Sequence, residues 1–185
     1  VFVAAGAHEK GILPLLDAVI NIMPSPADIP AVVAQGKSGE ETLTASDTGP
    51  LAIYVWKTTA DPFVGRLTYF RVYSGMLQAD TRIWNHGKST EERMASLAVL
   101  RGKESFPQKV IHAGDIAIVA KLSVTSTGDT LCDKGHPLTL PKPQYPNALF
   151  RVAIMPKTQA DAAKISPTLT RLCEEDMTLS WYNEP

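Results

Sequence analysis

The sequence predicts a mainly β protein built around one antiparallel barrel, with an α-containing segment on either side. Three observations carry that reading. Between residues 51 and 140, short runs of β-branched, aromatic and aliphatic residues recur, separated by turn chemistry at His86-Gly87, Gly102, Ala113-Gly114, Gly128-Asp129 and Gly135. Prolines bound this region, at Pro24, Pro26 and Pro30 before it and in LPKPQYP (140–146) after it. Helical periodicity is confined to the flanks. The 185 residues, 44% of them hydrophobic, suffice for a core that buries about 70% of the extended chain's surface, which excludes global disorder. The longest apolar runs, such as 116–120, fall far short of the ~18 residues of a membrane span.

In chain order, residues 1–5 read as a buried strand ending at Gly6, and Val1 in place of Met marks a piece of a longer protein. Ile12, Leu15, Leu16, Val19 and Met23 form one stripe of an amphipathic helix that tolerates Pro14 in its first turn. Residues 31–50 carry Glu40, Glu41 and Asp47 against Lys37 alone and read as an acidic linker or mobile loop. LAIYVWK (51–57) is a strand buried on both faces, and after the turn at Asp61-Pro62 a second strand spans 64–74 and stops at Gly75. Further strands are expected at 81–84, 93–100, 109–111, 115–122 and 130–132.

Beyond the proline-rich connector, residues 141–148, the pattern becomes β-α-β. Strands are expected at 149–155 and 179–182, with a helix between them opened by Thr158 and Asp161. Ala162, Ile165, Leu169 and Leu172 hold one apolar face of that helix, and Pro167 predicts a kink or a restart capped by Ser166.

Composition excludes several chemistries. Cys132 and Cys173 stand 41 positions apart, without CxxC or zinc-ligand spacing, and read as reduced thiols of a cytosolic protein. Residues 1–10 lack the basic start and long apolar middle of a secretion signal. Gly36-Lys37-Ser38 resembles the end of a P-loop, but Ala31 stands where the first glycine belongs and no strand-to-helix context surrounds it. His8, His86, His112 and His136 read as surface loop residues without metal-site spacing, and no catalytic residue and no metal ligand is assigned. Glu174, Glu175 and Asp176 end the last helix, where the macrodipole disfavours acids. They read as solvated surface or a dock for a basic partner.

The net charge of −1 is an average. Residues 51–140 hold 11 basic and 8 acidic residues, a balance of +3, and the flanks sum to −4. Arg66, Arg71, Arg82, Lys88 and Arg93 are interleaved with Phe63, Tyr69, Phe70, Tyr73 and Trp84, a mixture able to supply phosphate contacts and stacking faces to RNA. The same strand pattern equally places the aromatics in a core and the cations in solvent.

Five blocks in order give this pattern a sharper meaning. ADPFVGRLTYFRVYSGML (60–77) resembles the signature of the second domain of bacterial elongation factor G, a translational GTPase. GILPLLDAVINIMPSPADIP (11–30) resembles the last helix of that family's GTPase domain, HAGDIAIV (112–119) and TSTGDTLCD (125–133) its later barrel strands, and RVAIMPKTQADAAKISPTLTRLCEEDMTL (151–179) the start of its third domain. The resemblance implies a translation-factor-type antiparallel β-barrel, flanked by the C-terminal helix of a GTPase domain and a partial ferredoxin-like α+β domain.

It further implies a cytoplasmic, monomeric fragment without catalysis or cofactor of its own, GTP and magnesium belonging to the full-length parent. Ala5 and Gly6 occupy the positions of the family's guanine-bordering Ser-Ala pair and depart from it, which points to a diverged paralogue, as do Pro167 and Met177. The implied partner is the small ribosomal subunit's RNA, with Asp61, Gly65, Arg66 and Arg71 as contacts. Alternatives are a ribosome-protection or release-type factor, a paralogue without translocation, or a stand-alone nucleotide-binding enzyme using Gly36-Lys37-Ser38.

Overall fold

A computed structural model describes residues 1–61 and 64–183, with the backbone alone at Asp61. The chain divides into two units, residues Val1–Pro30 and Ala31–Pro185. In the first unit the expected strand at 1–5 is not formed. Ala5 makes a single bridge to Lys10 around a 3₁₀ turn, Gly6–His8, and among the described residues no neighbouring strand takes a ladder from 1–5. Helix α1, Ile12–Ile22, follows the apolar stripe and starts from Gly11 in a left-handed conformation.

The second unit opens with a correction. Residues 31–50, expected as linker, form the hairpin of β1, Val32–Gly36, and β2, Gly39–Leu43, paired from Val32↔Leu43 to Gly36↔Gly39. Lys37-Ser38 is therefore a two-residue hairpin loop. A phosphate-cradling loop must lead from a strand into a helix, so the nucleotide-binding reading of Gly36-Lys37-Ser38 fails on geometry.

The barrel strands follow: β3, Ala52–Asp61; β4, Gly65–Ser74; β5, Leu77–Gln78; β6, Thr81–Asn85; β7, Thr90–Met94; β8, Leu97–Arg101; β9, Glu104–Gln108; β10, Val110–Ile111; β11, Ile116–Ala120; β12, Thr130–Cys132; β13, Leu138–Thr139. Eight of them make one curled antiparallel sheet, a half-barrel, in the order β7-β6-β12-β3-β4-β11-β8-β9. The strand expected at 93–100 is two, since the chain leaves β6 after Met94 and joins β11 at Leu97. β9 carries Pro107 without penalty because it is the edge strand.

Two cores result. The concave face buries Ile53, Val55, Phe70, Val72, Ile83, Leu97, Val119 and Leu131. On the other face, Ala34, Leu43 and Leu138 from the sheet β13-β1-β2 pack over Ala52, Tyr54 and Cys132. β3 is thus buried on both faces from Ala52 to Val55, as its unbroken apolar run requires. Burial pushes the Cys132 thiol up, and both cysteines are free.

Side chains tie the preceding hairpin segment to the barrel. His136 Nε2 lies 2.6 Å from Glu41 Oε2. His112 Nδ1 lies 2.7 Å from Asp47 Oδ2, while Asp47 Oδ1 accepts from the Ala113 N–H at 2.9 Å. The hydrogen bond and charge of Asp47 raise the His112 pKa above its ordinary 6.5. A raised folded-state value means that this tie is fully present below the ordinary pKa and is lost as pH rises through the raised one. Asp47→Asn is expected to lower the His112 midpoint in an NMR titration; an unchanged midpoint contradicts the pairing.

The C-terminal part holds one helix, α2, Gln159–Glu175, running through Pro167 without a restart at Ser166. Thr158 caps it as expected, accepting from the Asp161 N–H at 3.2 Å and donating to Asp161 Oδ2 at 2.7 Å. The strands expected at 149–155 and 179–182 are not formed. These residues carry no regular secondary structure and have no ladder partner among the described residues. No described helix is long and apolar enough to cross a membrane.

Candidate nucleic-acid interface

β3 and β4 are the longest strands, ten residues each, and their hairpin carries the residues singled out from the sequence. Asp61 pairs with Gly65 at its turn end; Pro62 and Phe63 lie outside the described residues, as does the Asp61 side chain. Gly65 takes φ +88, a conformation that favours glycine, and among the described residues beyond its chain neighbours no atom lies within 4 Å of the place a Cβ would occupy. It is a turn position and leaves open space above the backbone.

Alternation along β4 separates the two expected phosphate contacts. Arg66 and Arg71 are five residues apart, an odd spacing, so they point to opposite faces of the strand. Arg66 turns toward α2. Its Nη2 lies 3.3 Å from Glu174 Oε2, with the Arg66 side chain 24% exposed. Three more contacts join the same helix end to the hairpin and the neighbouring loop. Thr58 Oγ1 and Thr127 Oγ1 each donate to the Glu174 carbonyl at 3.1 Å, and the Ala60 N–H donates to Glu175 Oε1 at 3.0 Å. The last turn of a helix leaves carbonyls unsatisfied, and here two hydroxyls supply donors to one of them. Of the acidic cluster expected as solvated surface, Glu174 and Glu175 are half-buried partners of this chain's own hairpin.

Arg71 stands on the outer face, between Tyr54 on β3 and Ile116 on β11. Its guanidinium lies over the Tyr73 ring, 5.2 Å from the centroid, and its buried Nε has no hydrogen-bond partner. No carboxylate pairs with it among the described residues. The next cross-strand pair on this face is Lys57↔Tyr69, also without an acid, with Trp56 beside it. The Trp56 and Tyr69 rings meet at 5.5 Å, tilted by 57°. Tyr54 is pushed up to about 12, by burial first and then by Tyr145.

The remaining cations of the interleaved set are already engaged. Arg82 pairs with Glu91 at 3.8 Å, Arg93 with Asp80 at 2.6 Å and Lys88 with Asp129 at 3.2 Å. Phe70 is core, while Tyr69, Tyr73 and Trp84 are half-buried on the outer side. Of the described aromatics in the interleaved set, only Phe70 lies in the core.

Sequence reasoning missed a polar network at one rim. Glu92, 7% exposed, accepts from the N–H groups of Ser123, Val124 and Thr125 and from the Thr125 hydroxyl. Asn85 Nδ2 donates to Thr125 Oγ1 at 3.1 Å and to Asp129 Oδ2 at 2.9 Å, and Lys88 Nζ reaches Val124 O and Ser126 Oγ. The available signal was alternation in TEERM (90–94), which puts Glu92 on the same side as Met94.

Comparison with known proteins decides among folds of this shape. The family described as Elongation factor G domain 2 matches residues 50–134, and that described as Elongation Factor G, domain III matches residues 145–185. Over residues 50–134 and 145–185 the chain is elongation-factor-G-like. It is also similar to a crystal structure of a protein from Thermus thermophilus, at 28% identity and a TM-score of 0.73 over 96% of this chain. The chain spans 24% of that protein's length. Its elongation factor G domain 2 holds the curled sheet and the β3–β4 hairpin, and its domain III match holds α2. The Arg66–Glu174 pair thus links the two matched segments.

Proposed function

We propose that this chain is the barrel and third-domain portion of an elongation-factor-G-like translational GTPase, and that the barrel docks on the small ribosomal subunit's RNA during GTP-dependent translocation in protein synthesis. In this reading the chain itself performs no catalysis, and GTP and magnesium are handled elsewhere in the parent factor. The observation that carries it, given the family, is the outer face of β3–β4, where Arg71 and Lys57 stand with no carboxylate opposite either. Phosphate contacts need positive charge in a fixed register, and a two-stranded hairpin closed at Asp61↔Gly65 supplies the register. Arg66 is the second cation, and its route to phosphate is exchange of the Glu174 carboxylate for an RNA oxygen.

Salt dependence tests the docking. Arg71→Ala is expected to weaken binding to isolated small subunits and to make the slope of log K against log salt shallower by about one. Arg66→Ala is expected to act in the same direction but less, because its charge is already matched. Unchanged affinity and slope in both variants would remove the assignment.

A further inference from the structure

Trp56 is the extra residue of a β-bulge. Val55 pairs with Phe70 and Lys57 with Tyr69, the next residue along β4, so Trp56 has no cross-strand partner. Bulges re-aim a side chain out of the ladder, and Trp56 is 41% exposed directly after five buried residues, 51–55. Tyr69 braces it at 5.5 Å. Lys57, exposed and without an ion pair among the described residues, follows it in the chain, and Arg71 lies two residues beyond Tyr69 on the same face, about 7 Å along the strand. The Arg71 Nε is buried without a partner.

The result is a strip in the order cation, aromatic pair, cation, with no acid in it. Among the described residues neither cation of the strip has a carboxylate partner, and the tryptophan between them is turned outward. We propose that this strip is a nucleobase-stacking site, taking an unpaired RNA base on Trp56 while Lys57 and Arg71 meet the phosphates on its two sides. The inference rests on the RNA-docking reading above and narrows it, from phosphate contact in general to a looped-out or single-stranded nucleotide. Stacking faces are common to all bases, so the site selects unpaired structure rather than sequence.

The probe is a 12-nucleotide oligoadenylate, compared with a 12-base-pair RNA duplex at the same salt, read by quenching of tryptophan fluorescence. The single strand is expected to quench and to bind about tenfold more tightly than the duplex. Trp56→Ala should weaken single-strand binding about tenfold with the salt slope unchanged, whereas Trp56→Phe should retain most of the affinity and lose the quenching. Equal affinity for single strand and duplex, or full affinity in Trp56→Ala, overturns the stacking site. Small-subunit binding of Arg71→Ala separates the two levels. If Arg71→Ala weakens it and Trp56→Ala leaves oligoadenylate binding intact, stacking fails and docking stands; if Arg71→Ala changes nothing, docking itself fails.

Discussion

Replacing Glu92 by alanine is expected to destabilise the barrel by about 3 kcal/mol, read as a fall in the urea midpoint. The carboxylate is 7% exposed and serves four donors: the Ser123 N–H at 2.5 Å, the Val124 and Thr125 N–H groups at 2.9 Å, and the Thr125 hydroxyl. Removing it leaves those donors facing a gap that alanine cannot fill. Glu92→Gln keeps the shape and one acceptor oxygen, so it is expected to cost about half as much. Acid gives an independent check. Burial alone would raise the Glu92 pKa, but the four hydrogen bonds outweigh it and hold the carboxyl below the ordinary 4.5. A depressed folded-state value contributes stability above the ordinary pKa, and the contribution is lost as pH falls through the folded one. The stability gap between wild type and Glu92→Gln should therefore narrow below about pH 4.5. A gap that stays constant in acid would mean that Glu92 works by packing and not by charge.

Gly75→Ala is expected to be comparably damaging, about 3 kcal/mol or more, for two reasons that add. Gly75 holds φ +76, and a Cβ there would lie 2.7 Å from the Leu51 Cα, 2.9 Å from the Leu51 N and 3.1 Å from the Gly49 carbonyl oxygen. All three are backbone atoms, so no side chain can swing aside. The same position ties the segment between β2 and β3 to the end of β4, since the Gly75 N–H donates to the Ser46 carbonyl at 2.9 Å. Gly65 is the internal control. It shares the positive φ, at +88, but no atom of the described residues beyond its chain neighbours lies within 4 Å of its Cβ position, so Gly65→Ala is expected to carry the conformational cost alone, about 1 kcal/mol. Equal costs at the two positions would contradict the steric part of this account.

What could be read from the sequence depended on whether a segment carried its own partner. β3 and β4 were legible because their runs end in recognisable turns and pair with each other. The β1–β2 hairpin was not, because its strands bury little beyond Ala34 and Leu43, and its outward residues Gln35, Glu40 and Thr42 look like those of a loop. The runs at 149–155 and 179–182 erred the other way, having strand composition but no neighbour to accept their hydrogen bonds. Arg66 and Arg71 looked equivalent in a count of charges. Strand alternation sends one to Glu174, 108 positions away, and leaves the other beside Tyr73, a distinction that no local pattern carries. Trp56 was visible as a residue but not as a bulge, since a bulge is defined by the strand opposite.

Contact between the outer face of β3–β4 and small-subunit RNA is open to a tethered cleavage probe. Ile116 is 54% exposed and lies opposite Arg71, so an Ile116→Cys variant, with Cys173 changed to Ser and buried Cys132 kept, carries an iron chelate onto that face. Hydroxyl radicals from this position are expected to cut the small subunit's RNA in a ribosome complex, and Arg71→Ala in the same background is expected to diminish the cuts. Cleavage confined to the large subunit's RNA, or no cleavage from a variant that still binds ribosomes, would contradict it.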